Sequence, residues 1–241
     1  MLDRANVKPV NSSGAVPLSP HDRQIVARTI SAYDSAVTQY YCRGRFRIMR
    51  QRFLQEIGQY LPERGRVLDV GCGFGLFSLY YSQVYPKLEL SGIDLNPKRI
   101  REATRAAEKL GVKNASYAVG DARAFESDRT YDGAYMMDIV HHIPPPAVKP
   151  LLMELYASLK PGACLIVKDV DSRPAYKRWF TFALDKLIDP HTPVHYWDAE
   201  DLTRLLEEIG FRVYRHAMLD YLPYPHMLYA CWKPEKAALA A

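Results

Sequence analysis

Three alternating glycines, Gly71, Gly73 and Gly75, close the run Val67-Leu68-Asp69-Val70. A short apolar run that ends in glycine reads as a buried parallel strand entering a tight turn. Glycine there lets the backbone pass close to a ligand. Nineteen residues beyond Gly75, Asp94 ends a second apolar run, Leu88 to Ile93. Acids so placed accept hydrogen bonds from a ribose, so the pattern predicts a cofactor that contains a nucleoside. A dinucleotide-binding turn needs its third glycine at position 76, where this chain has Leu76, and the Gly-Lys-Ser/Thr of a phosphate-gripping loop is absent.

A second group with chemical potential is Asp138-Ile139-Val140-His141-His142-Ile143-Pro144. Either His141 or His142 has the intrinsic pKa of a general base near neutral pH, able to take a phenolic or other hydroxyl proton. A histidine that fixes the loop by hydrogen bonds, or stacks behind a cofactor, accounts for the same residues. Lys168-Asp169-Val170-Asp171 offers paired carboxylates, but no third ligand stands at a persuasive spacing, so no metal is expected and Asp169 is read as a rim or substrate-orienting residue. The loop His191-Thr192-Pro193-Val194-His195-Tyr196-Trp197 is rich in rings. His195 and Tyr196 are candidates to line a substrate pocket, and packing against the next helix explains them equally well.

These groups need elements to hold them. Strands are expected near 66–70, 88–93, 115–119, 132–137 and 163–168, and helices near 75–84, 97–110 and 146–158. Such alternation predicts a parallel sheet covered by helices on both faces, with the ligand crevice at the carboxyl ends of the strands. Asp198 should cap a helix that ends at Gly210, and strands near Phe211–Ala217 and His226–Trp232 should finish the sheet. Ahead of it, Ser19-Pro20 opens a helix carrying Ile25, Ile30, Tyr33, Val37 and Tyr40 or Tyr41 at helical spacing. A second is expected from Phe46 to Tyr60. Arg43, Arg45 and Arg47 lie between the two and run into the second, with Arg50 and Arg52 further along it. A further helix, Arg173 to Ile188, carries Tyr176, Trp179 and Phe180.

The glycine turn, Gly92-Ile93-Asp94-Leu95-Asn96, Gly120-Asp121-Ala122, Tyr131-Asp132-Gly133-Ala134 and Leu159-Lys160-Pro161-Gly162-Ala163 together resemble class I S-adenosylmethionine-dependent methyltransferases. The five motifs stand in order from about residue 65 to 170. The resemblance implies a Rossmann-like, doubly wound α/β fold with a seven-stranded, mostly parallel sheet whose last strand is antiparallel. It implies S-adenosylmethionine as cofactor and S-adenosylhomocysteine as product. In it, Gly71, Gly73 and Gly75 pass under the methionine part, and Asp69 lies near the cofactor's ammonium. Asp94, followed by Leu95, accepts from the ribose hydroxyls. Asp121 receives the adenine amino group, Ala122 offers a backbone amide, and Asp138 completes the cofactor set. Methyltransferases acting on DNA bases often carry Asn/Asp-Pro-Pro-Tyr/Phe after the fourth strand. Here Ile139 and Val140 take the proline positions, which disfavours nucleic acid. Asp-x-x-His-His-Ile is instead similar to small-molecule, quinone-type and polyketide or aryl-polyene methyltransferases.

Composition sets the outer bounds. The chain has 241 residues, a net charge of +5 and ordinary globular composition. The charge is a mild bias towards anionic surfaces and does not by itself imply nucleic acid. Cys42, Cys72, Cys164 and Cys231 are scattered without metal-ligand spacing, as in a reduced cytoplasmic enzyme. The expected layout is a disordered leader (1–18), an N-terminal helical cover (19–62), a methyltransferase domain (63–233) with a helical lid insertion (173–190), and a tail (234–241). The covers bring Tyr33, Tyr40, Tyr41 and Trp179, which points to a hydrophobic or aromatic acceptor methylated on oxygen or carbon. The arginines point to an accompanying anion, either an acidic acyl carrier protein or an anionic membrane at whose inner face the protein sits; a solvated helix face is the plainer explanation. A partner subunit that binds the cofactor without transferring methyl groups is the rival reading.

Overall fold

The computed structural model describes residues 18–48, 51–127, 129–176, 178–179, 181–182, 193–218 and 225–235. The expected leader up to residue 17, Arg50, Phe180, the lid from 183 to 190, His191 and the tail from 236 lie outside them. Seven strands form one sheet: β1 (Gly65–Val70), β2 (Leu88–Asp94), β3 (Ala115–Val119), β4 (Tyr131–Met137), β5 (Leu159–Val170), β6 (Arg212–Ala217) and β7 (His226–Trp232). Their order is β3-β2-β1-β4-β5-β7-β6. All neighbours from β3 to β5 pair in parallel, and β7 runs antiparallel to both β5 and β6. The order reverses between β1 and β4, so the crevice opens at their carboxyl ends.

Alternation along each strand divides the apolar side chains between two cores. Val67, Leu90, Tyr135 and Ile166 face one core. Leu68, Val70, Met136 and Leu165 face the other, with residues of α6 (Pro145–Ser158) and α7 (Ala199–Ile209). The first core is closed by α1 (Pro20–Ala32), α2 (Ala36–Ile48), α3 (Gln51–Gly58), α4 (Leu76–Val84) and α5 (Pro97–Leu110). Caps act at the predicted Ser19, Asp198 and Gly210, and Asn96 adds one. Ser19 accepts from the Asp22 amide, Asn96 caps α5, Asp198 caps α7, and left-handed Gly210 ends α7.

Two expectations change. The first helix stops at Ala32, and the second begins at Ala36 rather than Phe46. Ser35 causes the restart: its hydroxyl accepts from the Thr38 amide and its carbonyl from the Gln39 amide, while Gln39 Nε2 ties back to the Tyr33 carbonyl at 2.8 Å. Arg43, Arg45 and Arg47 therefore lie inside one helix. The fifth strand is also longer than expected, because Leu159 pairs with Tyr131 of β4 at its start and β7 pairs with it from Cys164 to Val170. Lys168 and Asp169 are in the strand rather than beyond it. Among the described residues of 175–182, all are helical. No helix among the described residues is long and apolar enough to cross a membrane. All four cysteines are buried thiols.

Candidate cofactor and acceptor site

The glycine turn is anchored by its own amides. Gly71 and Cys72 donate to the Ile93 carbonyl at 2.8 and 2.9 Å, and Gly73 donates to Asp94 Oδ2 at 2.9 Å. The other oxygen of Asp94 accepts from the Asn96 amide at 2.8 Å. Asp94 thereby ties the turn after β1 to the end of β2, across the two strands beside the switch point. All three glycines have left-handed backbones, with φ of 75°, 56° and 69°. A Cβ at Gly71 would strike Ile139 and one at Gly75 would strike the Tyr117 ring, whereas at Gly73 it would meet open space. The turn is closed beneath and open at Gly73.

Asp69 lies buried behind this turn and accepts a hydrogen bond from the Tyr135 hydroxyl at 2.9 Å. Burial pushes its carboxyl up to about 7, and the Tyr135 hydrogen bond limits the rise. Leu95 stands exposed just past Asp94. Asp121 caps the short turn Ala122–Ala124 through the Arg123 amide, and its two oxygens grip the Arg123 guanidinium at 2.6 to 3.0 Å. That hydrogen bonding holds the Asp121 carboxyl below its usual value. Ala122 is half-buried beside it, against the second core.

Asp138, at the end of β4, adopts a left-handed backbone with φ of 55°. Its carboxylate receives Lys168 Nζ at 2.5 Å on one oxygen and Arg45 Nη2 at 2.8 Å on the other, with His226 Nε2 3.9 Å away. Burial alone would raise this carboxyl, but Lys168, Arg45 and His226 outweigh it and hold it well below the usual range. The Lys168 side chain is 0% exposed and lies over the Phe53 ring, 5.4 Å from its centroid. Sequence reasoning did not find this cluster. Its one local signal is a lysine directly after the apolar run Leu165-Ile166-Val167, where a buried charge demands a partner.

The two histidines part company. His141 is 2% exposed; its Nδ1 is hydrogen-bonded to Asp169, whose other oxygen accepts the His141 amide at 3.1 Å. Tyr196 stacks on it at 5.6 Å, and the His195 amide donates to its carbonyl at 2.7 Å. His142 is half-buried, its ring 4.0 Å from that of His141. Asp169 is therefore not at an open rim: it is buried under the loop and holds His141. Tyr33 is buried and donates to the Phe74 carbonyl at 2.8 Å, which fastens α1 to the glycine turn. Tyr41 packs on the Phe74 ring at 5.6 Å. Tyr40 and Trp179 point to solvent, Trp179 against Phe182. The structure thus brings Asp69, the three glycines, Asp94, Asp138 and the His141–Asp169 pair to one edge of the sheet, with Tyr33 and Tyr41 behind the turn. No group of three or more metal-ligating side chains occurs among the described residues.

A glycine turn at the switch point of a doubly wound sheet, with a carboxylate at the next strand end, defines a nucleoside-cofactor domain of Rossmann-like type. Residues 41–216 match the family described as methyltransferase domain, and the chain belongs to that family. It is similar to the 2-methyl-6-phytyl-1,4-hydroquinone methyltransferase of Synechocystis sp., 29% identical over 149 residues, covering 61% of this chain and 41% of that one. It is similar also to the ubiquinone biosynthesis O-methyltransferase of Bordetella avium, 31% identical over 137 residues, covering 56% and 54%. The solved structure of a SAM-dependent methyltransferase from Methanosarcina mazei has the same fold, with a TM-score of 0.61 at 24% identity over 75% of this chain and 97% of that one. The chain spans about half the length, or less, of the curated relatives it matches.

The residues present fit S-adenosylmethionine. The space over Gly73 would take the methionine part, and the Asp94 carboxylate would receive the ribose hydroxyls, with Leu95 as an apolar neighbour. Asp69 is a buried acid on the side where an ammonium is expected.

Proposed function

We propose that this protein transfers a methyl group from S-adenosylmethionine to an oxygen or carbon of a hydrophobic or aromatic small molecule. The acceptor belongs with lipid-like or carrier-tethered quinone, polyketide or aryl-polyene precursors. The observation that supports the cofactor reading is the hydrogen bond from the Gly73 amide to Asp94, which holds a carboxylate beside an open glycine turn where this reading needs a ribose acceptor. The acceptor class rests on the quinone-pathway names of the similar proteins, with Phe74 in the glycine turn and Tyr196 on the His141 ring as the aromatic side chains beside the candidate site.

The cofactor supplies an electrophilic methyl on a sulfonium. The chain's own work is to hold the acceptor in line with it and to exclude water, and alignment provides much of the rate in such a displacement. For a hydroxyl acceptor, the His141–Asp169 pair offers an oriented imidazole: a carboxylate on Nδ1 leaves Nε2 as the basic nitrogen. For a ring carbon activated by its own electronics, the same pair serves to keep the loop in place.

Asp94→Ala removes a charged acceptor and should weaken S-adenosylmethionine binding by about tenfold to a hundredfold, a loss of roughly 1.5–3 kcal/mol, in titration calorimetry. Unchanged affinity in a folded variant, or binding of NAD by the wild type, would sink the assignment.

A further inference from the structure

α2 presents two faces of different character. At about 100° per residue, Val37, Tyr40, Arg43 and Arg47 fall within an arc of about 120°. All four are exposed, and Val37 and Tyr40 are each 79% so. The other face buries Cys42 and Phe46, lays Tyr41 on the glycine turn and sends Arg45 to Asp138. One helix thus touches the crevice from within and turns apolar and cationic side chains outward. Tyr176 and Trp179 are also exposed, on helical residues that follow β5 from the same carboxyl edge of the sheet.

From this we infer that the outer face of α2 docks the crevice mouth onto an anionic lipid bilayer. The inference names the delivery route for the acceptor proposed above, and its purpose rests on that reading. The chemistry of the face selects the occupant. Single exposed apolar residues are ordinary on a soluble protein, but Val37 and Tyr40 beside Arg43 and Arg47 on one exposed helix face match the headgroup layer, where rings sit at the interface and guanidinium groups meet phosphates. A partner protein would instead need a complementary socket for a protruding Tyr40. Each cation near an anionic surface contributes about 1 kcal/mol, and the attraction falls off within a Debye length of about 8 Å in physiological salt.

The test is co-sedimentation of the full chain with vesicles of equal parts phosphatidylglycerol and phosphatidylcholine, against phosphatidylcholine alone. The wild type should partition onto the anionic vesicles and release as salt rises. R43S/R47S should lose about thirtyfold in partition. V37S/Y40S should lose binding that salt does not modulate. Calorimetric affinity for S-adenosylmethionine, read on every variant, reports folding and tests the methyl-transfer reading separately. A chain that docks but binds no cofactor defeats that reading alone; one that binds cofactor but does not dock defeats this one. No partition by the wild type, equal partition onto neutral vesicles, or indifference to both double changes overturns the inference. Saturable binding of an acidic acyl carrier protein that R43S/R47S abolishes, without vesicle binding, assigns the face to a carrier and also overturns it.

Discussion

Asp69 shows how a single carboxyl can set the pH response of the molecule. In the folded chain burial raises it to about 7, while in the unfolded chain it titrates near the ordinary aspartate value of about 3.9. Between those values the folded state holds a proton that the unfolded state has lost. This group's stabilising effect therefore falls as pH rises through the window and is constant above it. Asp69→Asn should remove a slope of up to about 1.4 kcal/mol per pH unit, so denaturant curves of variant and wild type should diverge from pH 4 to 7 and run parallel above. Parallel curves throughout would contradict the burial argument. At this scale the sequence was legible where partners are close along the chain and obscure where they are not. Asp94 and Gly73 are 21 residues apart and belong to one strand–turn–helix–strand pattern, so the pair could be read. Arg45 and Asp138 are 93 apart, and nothing local to Arg45 separates an arginine that reaches inward from Arg43 or Arg47 on the same helix.

Between the first strand and the fourth, contact is decided by a missing side chain. Gly71 combines a φ of 75° with Ile139 Cδ1 lying 2.1 Å from where a Cβ would stand. Gly71→Ala should therefore destabilise by about 1–3 kcal/mol through the backbone, with an added steric part. The double change Gly71→Ala and Ile139→Ala should recover the steric part and leave the backbone part, as a double-mutant cycle by chemical denaturation would separate. An alanine variant as stable as the wild type would refute the clash. Strand and helix positions were largely readable at this scale because periodicity and caps agree, as at Asp198 and Gly210. The break after Ala32 was obscured because Val37 and Tyr40 continue the helical spacing of apolar residues. That spacing hid Ser35 as a cap and hid the fact that these two residues face solvent. The extension of β5 through Asp169 and Val170 depends on β7, a partner with no local trace in β5 itself.

For the molecule as a whole, the sequence suggests a boundary at Pro62 to Gly65, yet the packing crosses it. Ile25, Tyr33, Phe46 and Ile57 share one core with Val67, Leu90 and Ile166. A fragment starting at Gly65 would expose that face of the sheet and should show no cooperative thermal transition and no near-ultraviolet circular dichroism. A fragment that melts cooperatively and binds S-adenosylmethionine like the full chain would make the N-terminal helices a true accessory. The doubly wound topology was foreseeable from alternating strands and helices, whereas this shared packing was not, since amphipathic helices carry no record of what they cover. One feature of the sheet also bears on how the molecule is made. β7 lies between β5 and β6, although β6 leaves the ribosome first. From the end of β5 to the start of β7 is 56 residues (226 − 170), which translation at about 5–20 residues per second takes about 3–11 s to supply. Throughout that interval the nascent chain carries β5 with an unpaired edge, and once Ala217 has been added it also carries β6 with no neighbour to join, so the length of this segment sets how long a half-built sheet stays open to other chains.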